Sequence, residues 1–116
     1  MSIVENPNDI LDIDDRKTKV VHVKAWKKDI KIKVLSADAV TNIEKLCIDK
    51  KGDIDTKQWI LQLVIHGVVK DDGTQVFTNS HLKALAGMSS SSIKFVADEV
   101  VKLNGLDDST EDLAKN

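Results

Sequence analysis

The sequence predicts an α+β domain, in which an N-terminal β-hairpin packs on about four α-helices between frayed acidic ends. Apolar and polar residues alternate with a period of two over residues 21–26 and again over residues 30–34, which indicates two strands. From Ser36 onward the apolar residues recur with a period near 3.6, which indicates helices. The 116 residues, 41% of them hydrophobic, suffice for one modest core. We therefore predict a flexible acidic leader at 1–18, a single domain at 19–106 and a flexible acidic tail at 107–116.

The hairpin is predicted from two alternating runs, VHVKAW at residues 21–26 and IKIKV at residues 30–34. The polar residues Lys27, Lys28 and Asp29 between them are typical of a short hairpin loop. One face of this hairpin is apolar, and we expect it to lie on the helices. The other face is rich in lysine, which discourages pairing with the strands of other chains.

The first helix is predicted to follow the hairpin directly. Ser36 is a suitable N-cap, because its side-chain oxygen can accept a hydrogen bond from the first turn. Val40, Ile43 and Cys47 then mark one apolar face, and the helix is expected to end before Gly52.

The start of the second helix carries the strongest local signal in the chain. Asp55 and Gln58 have the spacing of a capping box, and Ile54 and Trp59 occupy the positions of a hydrophobic staple. The helix is expected to continue through Val68. Because it is apolar around its whole circumference, we predict that it is the buried central helix.

A turn and a short helix are predicted next. Residues 70–73 (KDDG) have the composition of a turn. Phe77, Thr78 and Leu82 then repeat the staple pattern, and they predict a short helix that ends at Gly87.

The last helix is expected to start in the serine cluster 89–92 and to include Phe95 among its apolar residues. Gly105 has the position of a left-handed C′ residue. In the corresponding C-terminal motif, Leu106 folds back onto Val101.

The sequence does not predict an enzyme. Cys47 is alone, which excludes an intramolecular disulfide, and its apolar surroundings favour a buried side chain over a nucleophile. His22, His66 and His81 lack partners at metal-ligand spacing. We therefore name no catalytic, cofactor-binding or metal-binding residue, and we expect no cofactor.

Membrane and nucleic-acid partners are not expected either. The longest apolar stretch without charge, residues 59–69, is shorter than the roughly 20 residues of a membrane span. The net charge of −2 gives no general attraction for phosphates. Lysines on the outer face of a hairpin are commonly a solvated surface.

One alternative function is a small helix-turn-helix DNA-binding regulator that uses residues 79–106. This segment has the outline of the motif: a short helix, a glycine turn and a longer helix. However, Lys83 stands where a small residue is usual, and the second helix offers serines, Lys94 and Lys102 but no Arg, Asn or Gln at its start. We therefore expect only weak, salt-sensitive binding to duplex DNA.

The order of features along the chain points to a different function. The sequence ILD at residues 10–12 precedes VHVKAW, and IKIKVLSA follows at residues 30–37. Later come an Asp-Gly turn near a phenylalanine, a Leu-x-x-Leu segment, a Leu-Asn-Gly-Leu sequence and an acidic stretch: Asp72, Gly73, Phe77, Leu82, Leu85, residues 103–106 and residues 107–116. This order resembles the tail assembly chaperones encoded by long-tailed bacteriophages and prophages.

The resemblance implies a non-catalytic protein that acts in the cytoplasm of the bacterial host and is absent from the finished virion. Its implied partners are the tape-measure protein, which it binds, and tail-tube subunits, which it recruits; self-association stays open. Trp26 is the candidate anchor for a partner if it lies outside the buried face of the hairpin. The alternative is a core tryptophan that caps the hairpin. The resemblance also implies a longer form made by ribosomal slippage near residues 114–116.

Overall fold

One central helix organises the computed structural model, which describes residues 3–105. These residues form five α-helices and a three-stranded antiparallel sheet of order β1-β2-β3, so the predicted α+β class is confirmed. The elements are α1 (Asn8–Leu11), β1 (Thr18–Val23), β2 (Lys28–Lys33), α2 (Ala37–Cys47), α3 (Thr56–Gly67), β3 (Val68–Val69), α4 (Leu82–Ala86) and α5 (Ser90–Asn104), with a 3-10 turn at Asn79–His81 before α4. The predicted acidic tail and Leu106 lie outside the described residues.

The predicted hairpin is present, but its loop lies three residues earlier than expected. Val23 pairs with Lys28, so the loop consists of residues 24–27 rather than 27–29. Lys27 closes this loop in the left-handed conformation, with φ of +54°, and the Trp26 N–H donates to the Val23 carbonyl at 3.1 Å. Alternation alone did not locate the loop, because Trp26 continues the pattern of β1 although the chain has already turned.

The third strand was not predicted. The sequence reading extended the central helix through Val68, but α3 ends at Gly67 and the chain becomes extended at Val68, with φ −86° and ψ 124°. Val68 and Val69 then pair with Ile32 and Lys31 of β2. Branched valines suit this extended backbone, and the pairing completes hydrogen bonds along the second edge of β2.

The core surrounds α3, as its all-round apolar sequence predicted. Five consecutive residues, Leu61 to Ile65, are buried, so this part of the helix has no solvent-facing side. The other buried apolar side chains come from the sheet, the loop after β2, α2, α4 and α5: Val21, Val23, Ile32, Leu35, Ile43, Cys47, Val68, Val69, Leu85, Ile93, Val96, Ala97 and Val100. Phe95, which was expected on the apolar face of α5, is instead 41% exposed.

Helix ends follow the predicted caps, with one correction. Ser36 accepts a hydrogen bond from the Ala39 N–H at 3.1 Å, and Asp55 accepts one from the Gln58 N–H at 3.1 Å. The predicted return bond of the capping box at Asp55 is wrong, because the Asp55 N–H already donates to the Cys47 carbonyl at 2.7 Å. Ile54, expected to form the staple with Trp59, is 64% exposed.

A reciprocal cap occurs instead at the 3-10 turn that precedes α4. The Thr78 N–H donates to Nδ1 of His81 at 3.0 Å, so the histidine side chain occupies the role usually held by Glu or Gln. At the end of α5, Gly105 has a φ of +72°, which confirms the predicted left-handed C′ residue.

The close approach of α3 and α5 gives a test of this packing. A Cβ atom built on Gly67 would lie 2.6 Å from Cγ2 of Val100, a fully buried side chain. We expect Gly67→Ala to lower the free energy of unfolding by about 1–3 kcal/mol, since the packed core cannot yield to the added methyl group.

The control for this substitution is Gly87→Ala, measured in the same urea titration. At Gly87 the nearest atom to an added Cβ is 3.5 Å away, and its φ of −85° suits alanine. We expect no loss of stability there, or a gain of up to about 1 kcal/mol. Equal effects of the two substitutions would contradict the described contact.

The N-cap of α3 gives a second test. Asp55→Ala removes the acceptor for the Gln58 N–H, and we expect it to cost about 1 kcal/mol of folding stability. The control is Asp53→Ala, an exposed aspartate two residues earlier, for which a change within about 0.5 kcal/mol is expected. A loss for Asp53→Ala as large as that for Asp55→Ala would show that the helix is not capped at Asp55.

Candidate partner-binding grooves

Cys47 lies in the core, as expected from its apolar surroundings. The side chain is 1% exposed. Burial raises the pKa of the Cys47 thiol, and the negative charge of Asp55 raises it further. A buried thiol with a raised pKa supplies little thiolate, so the prediction that Cys47 is a packing residue is confirmed.

The three histidines lie apart from one another in structural roles. His22 pairs across the hairpin with Asp29, with 2.8 Å between Nδ1 and Oδ1, and both side chains are exposed. His81 belongs to the capping box of the 3-10 turn before α4, and His66 is half-buried near the end of α3. Within residues 3–105, His, Cys, Asp and Glu form no group of three placed to hold a metal ion. The same residues contain no helix long and apolar enough to cross a membrane.

An apolar groove opens between α3, α4 and α5, and we call it the helix groove. It has a volume of about 400 Å³. Its apolar lining comes from all three helices and from the loop after α4: Ile60, Leu61, Leu85, Ala86, Met88 and Ile93. Sequence reasoning missed this site, although one signal was present. Met88 lies between Gly87 and the serine cluster, and an apolar side chain is unusual in such a polar loop. In the structure Met88 is 42% exposed.

The rim of the helix groove is positively charged. Lys57 of α3 and Lys94 of α5 both belong to its lining. Thr56 and Ser90 add hydroxyl groups, each in the first turn of its helix. An apolar floor with a cationic rim favours an apolar segment flanked by acidic residues.

Trp26 lies at a second groove, which we call the tryptophan groove. The ring is half-buried and packs against the core from the hairpin loop. Ile30, Val76 and Phe77 line the same groove, which has a volume of about 460 Å³. The side chain therefore lies between its two predicted placements: it packs against the core at the hairpin loop, and part of it remains accessible. Charged residues of both signs also line this groove, among them Lys28, Asp29 and Asp71.

The helix that a helix-turn-helix would use for base contacts is α5, and nothing in the described residues adds support for DNA binding. Ser92 and Ile93, at the start of α5, are buried against the rest of the domain. Lys94 belongs to the helix groove. Further along α5, Glu99 pairs with Lys19 at 3.2 Å, which fixes an acidic group on the element that would face phosphates.

A solved structure with the same arrangement of elements is that of the tail assembly chaperone of bacteriophage HK97. The superposition has a TM-score of 0.57 and covers 76% of this chain and 85% of that one. This chain has the fold of a phage tail assembly chaperone. Sequence identity over the match is 13%, so the likeness is one of fold. No family model matches the sequence, and no curated protein matches it.

The half-buried position of His66 gives a test by NMR titration. Burial lowers the pKa of His66 below its usual value of 6.5, so the folded state binds fewer protons than the unfolded chain. The contribution of neutral His66 to folding stability is therefore complete above pH 6.5, and it is lost as the pH falls from 6.5 through the lower pKa of the folded state. We expect the NMR titration midpoint of His66 to lie below 6.5.

The matching stability measurement compares the wild type with His66→Gln in urea at pH 7.5 and at pH 5.5. The wild type should lose more stability on acidification than the variant, because only the wild type must protonate a half-buried imidazole. A His66 midpoint at or above 6.5 would contradict the described burial.

Proposed function

We propose that this protein is a non-catalytic tail assembly chaperone, which binds the tape-measure protein and recruits tail-tube subunits in the cytoplasm of the bacterial host. The main support is the likeness in fold to the HK97 tail assembly chaperone, which extends over 85% of that chain. The order of sequence features resembles the same class of proteins. In this proposal the chaperone leaves the tail before the virion is complete.

The helix groove is the proposed site for the tape-measure protein. Tape-measure chains of long-tailed phages are long and helical, and an amphipathic helix binds by laying its apolar face into a groove of this kind. Ile60, Leu85 and Met88 supply the apolar floor. Lys57 and Lys94 would pair with acidic residues beside the apolar stripe of the client, which fixes the orientation of the helix more than it adds affinity.

The tryptophan groove remains available to a second partner. Its lining comes from the hairpin, β3 and the loop after β3, whereas the helix groove is formed by α3, α4 and α5. Because the linings share no residue, two partners can occupy them together. Trp26 is the proposed anchor in this second groove, since buried aromatic side chains dominate many interfaces.

A co-expression experiment tests the proposed function and its site. The chain is tagged and purified together with the tape-measure protein encoded beside it. Met88→Asp should lower the amount of tape-measure protein recovered at least tenfold. Binding would bury the new carboxylate in an apolar contact, and the loss of its hydration weakens binding. Val76→Asp is the matched control, since Val76 has the same 42% exposure but lines the tryptophan groove. That variant should retain the tape-measure protein.

Other outcomes separate the function from the site. Failure of the wild-type chain to recover any tape-measure protein would contradict the proposed function. Loss of recovery with Val76→Asp and Trp26→Ala, while Met88→Asp binds normally, would place the tape-measure site in the tryptophan groove.

A further inference from the structure

The leader before β1 exposes an apolar segment that its own domain does not cover. Ile10 is 57% exposed, Leu11 is 75% exposed and Ile13 is 62% exposed. The single turn of α1 buries no residue. Three large apolar side chains within four positions on a solvated segment indicate a contact surface rather than a linker.

Acidic residues flank this apolar segment. Asp9 precedes Ile10, and Asp12 lies between Leu11 and Ile13. Among the leader acids in residues 3–15, Asp14 alone is ion-paired in the described part of the chain, to Lys33 at 3.5 Å and Arg16 at 3.7 Å. The acids nearest the apolar side chains are thus left for another partner.

The helix groove has the complementary character. Its floor is apolar, and the cations on its rim are Lys57 and Lys94. We propose that the apolar segment of the leader, residues 10–13, binds in the helix groove of a second copy of this chain. Asp9 and Asp12 then lie within reach of the lysines on the rim.

The positions of the leader and the groove indicate that the leader binds the groove of a second copy rather than its own. The leader joins β1 beside the C-terminal end of α5: the Val34 N–H donates to the Lys17 carbonyl at 2.9 Å, and the Leu35 N–H donates to Asn104 Oδ1 at 2.9 Å. The helix groove lies at the other end of α5, at Ser90 and Ile93.

The leader is too short to bridge these two ends while its root is held. Asn104 and Ile93 are separated by 104 − 93 = 11 residues of α5, or about 16 Å at 1.5 Å per residue. Asp14 is held at the root by Lys33. From Asp14 to Ile10 the chain spans at most about 14 Å even when fully extended. While the Asp14–Lys33 ion pair is formed, Ile10 therefore does not reach its own groove.

This contact joins two different surfaces of the chain. Two copies can therefore exchange leaders to form a closed dimer, or each copy can bind the next to form a longer assembly. It involves no client protein, and the inference is therefore independent of the proposed function. If the tape-measure protein also binds the helix groove, the leader competes with it and shields the apolar floor until the client arrives.

Sedimentation of the full-length chain tests the inference, at concentrations from about 10 µM to 1 mM, the range in which weak contacts form. The wild type should self-associate. Leu11→Asp removes the leader contact and Met88→Asp removes the groove, and each should raise the dissociation constant for self-association at least tenfold. The control is Val20→Asp, at an exposed position of β1, which should associate like the wild type.

A mixing experiment gives the sharpest distinction, because each variant keeps one half of the contact. Leu11→Asp has an intact groove and Met88→Asp has an intact leader, so a mixture of the two should form a heterodimer although neither associates alone. The heterodimer also shows that both variants are folded. Monomeric wild type throughout the concentration range, or a mixture that stays monomeric, would overturn the inference.

Discussion

The burial of the middle of α3 on every side is the constraint on which the rest of the structure depends. A helix with five consecutive buried residues, Leu61 to Ile65, must be covered on every side. The sheet, α2, α4 and α5 supply that cover. Gly67 lets α5 approach closely enough for Val100 to fill the space beside the end of the helix. The other elements pack around α3 because burial of an apolar face stabilises the fold only where that face contacts α3 or another apolar surface.

The proposed partner site arises where that cover is incomplete. The helix α4 has only five residues, so it closes one side of α3 over a short length. Ile60 remains half-buried, and Leu85, Met88 and Ile93 complete an open apolar groove around it. The same constraint that forms the core thus leaves an accessible apolar surface beside α3.

The sequence predicted those features that are decided locally. The caps at Ser36 and Asp55 and the left-handed Gly105 depend on residues within one turn of each other, and the structure contains all three. Alternation also predicted the buried faces of both hairpin strands. These signals are readable from one sequence because their causes are separated by only a few positions.

Features that depend on distant contacts were not predictable in this way. The strand β3 forms because Val68 pairs with Ile32, a residue far away in the sequence. The hairpin loop lies earlier than predicted, and Lys27 closes it in a left-handed conformation. The helix groove combines side chains from three helices, so a pattern within one segment does not predict it. The one local indication was Met88, an apolar residue in an otherwise polar loop.

Native-state hydrogen exchange tests the central role of α3 most directly. We expect the amides of Leu63, Val64 and Ile65 to exchange only through global unfolding and to be the slowest in the protein. At the chain concentrations where the protein is monomeric, the amides of α1 should exchange at nearly unprotected rates, since α1 buries no residue. Exchange of the α3 amides by local opening, at lower free energy than that of the β1–β2 hairpin, would show that α3 is not the centre of the core.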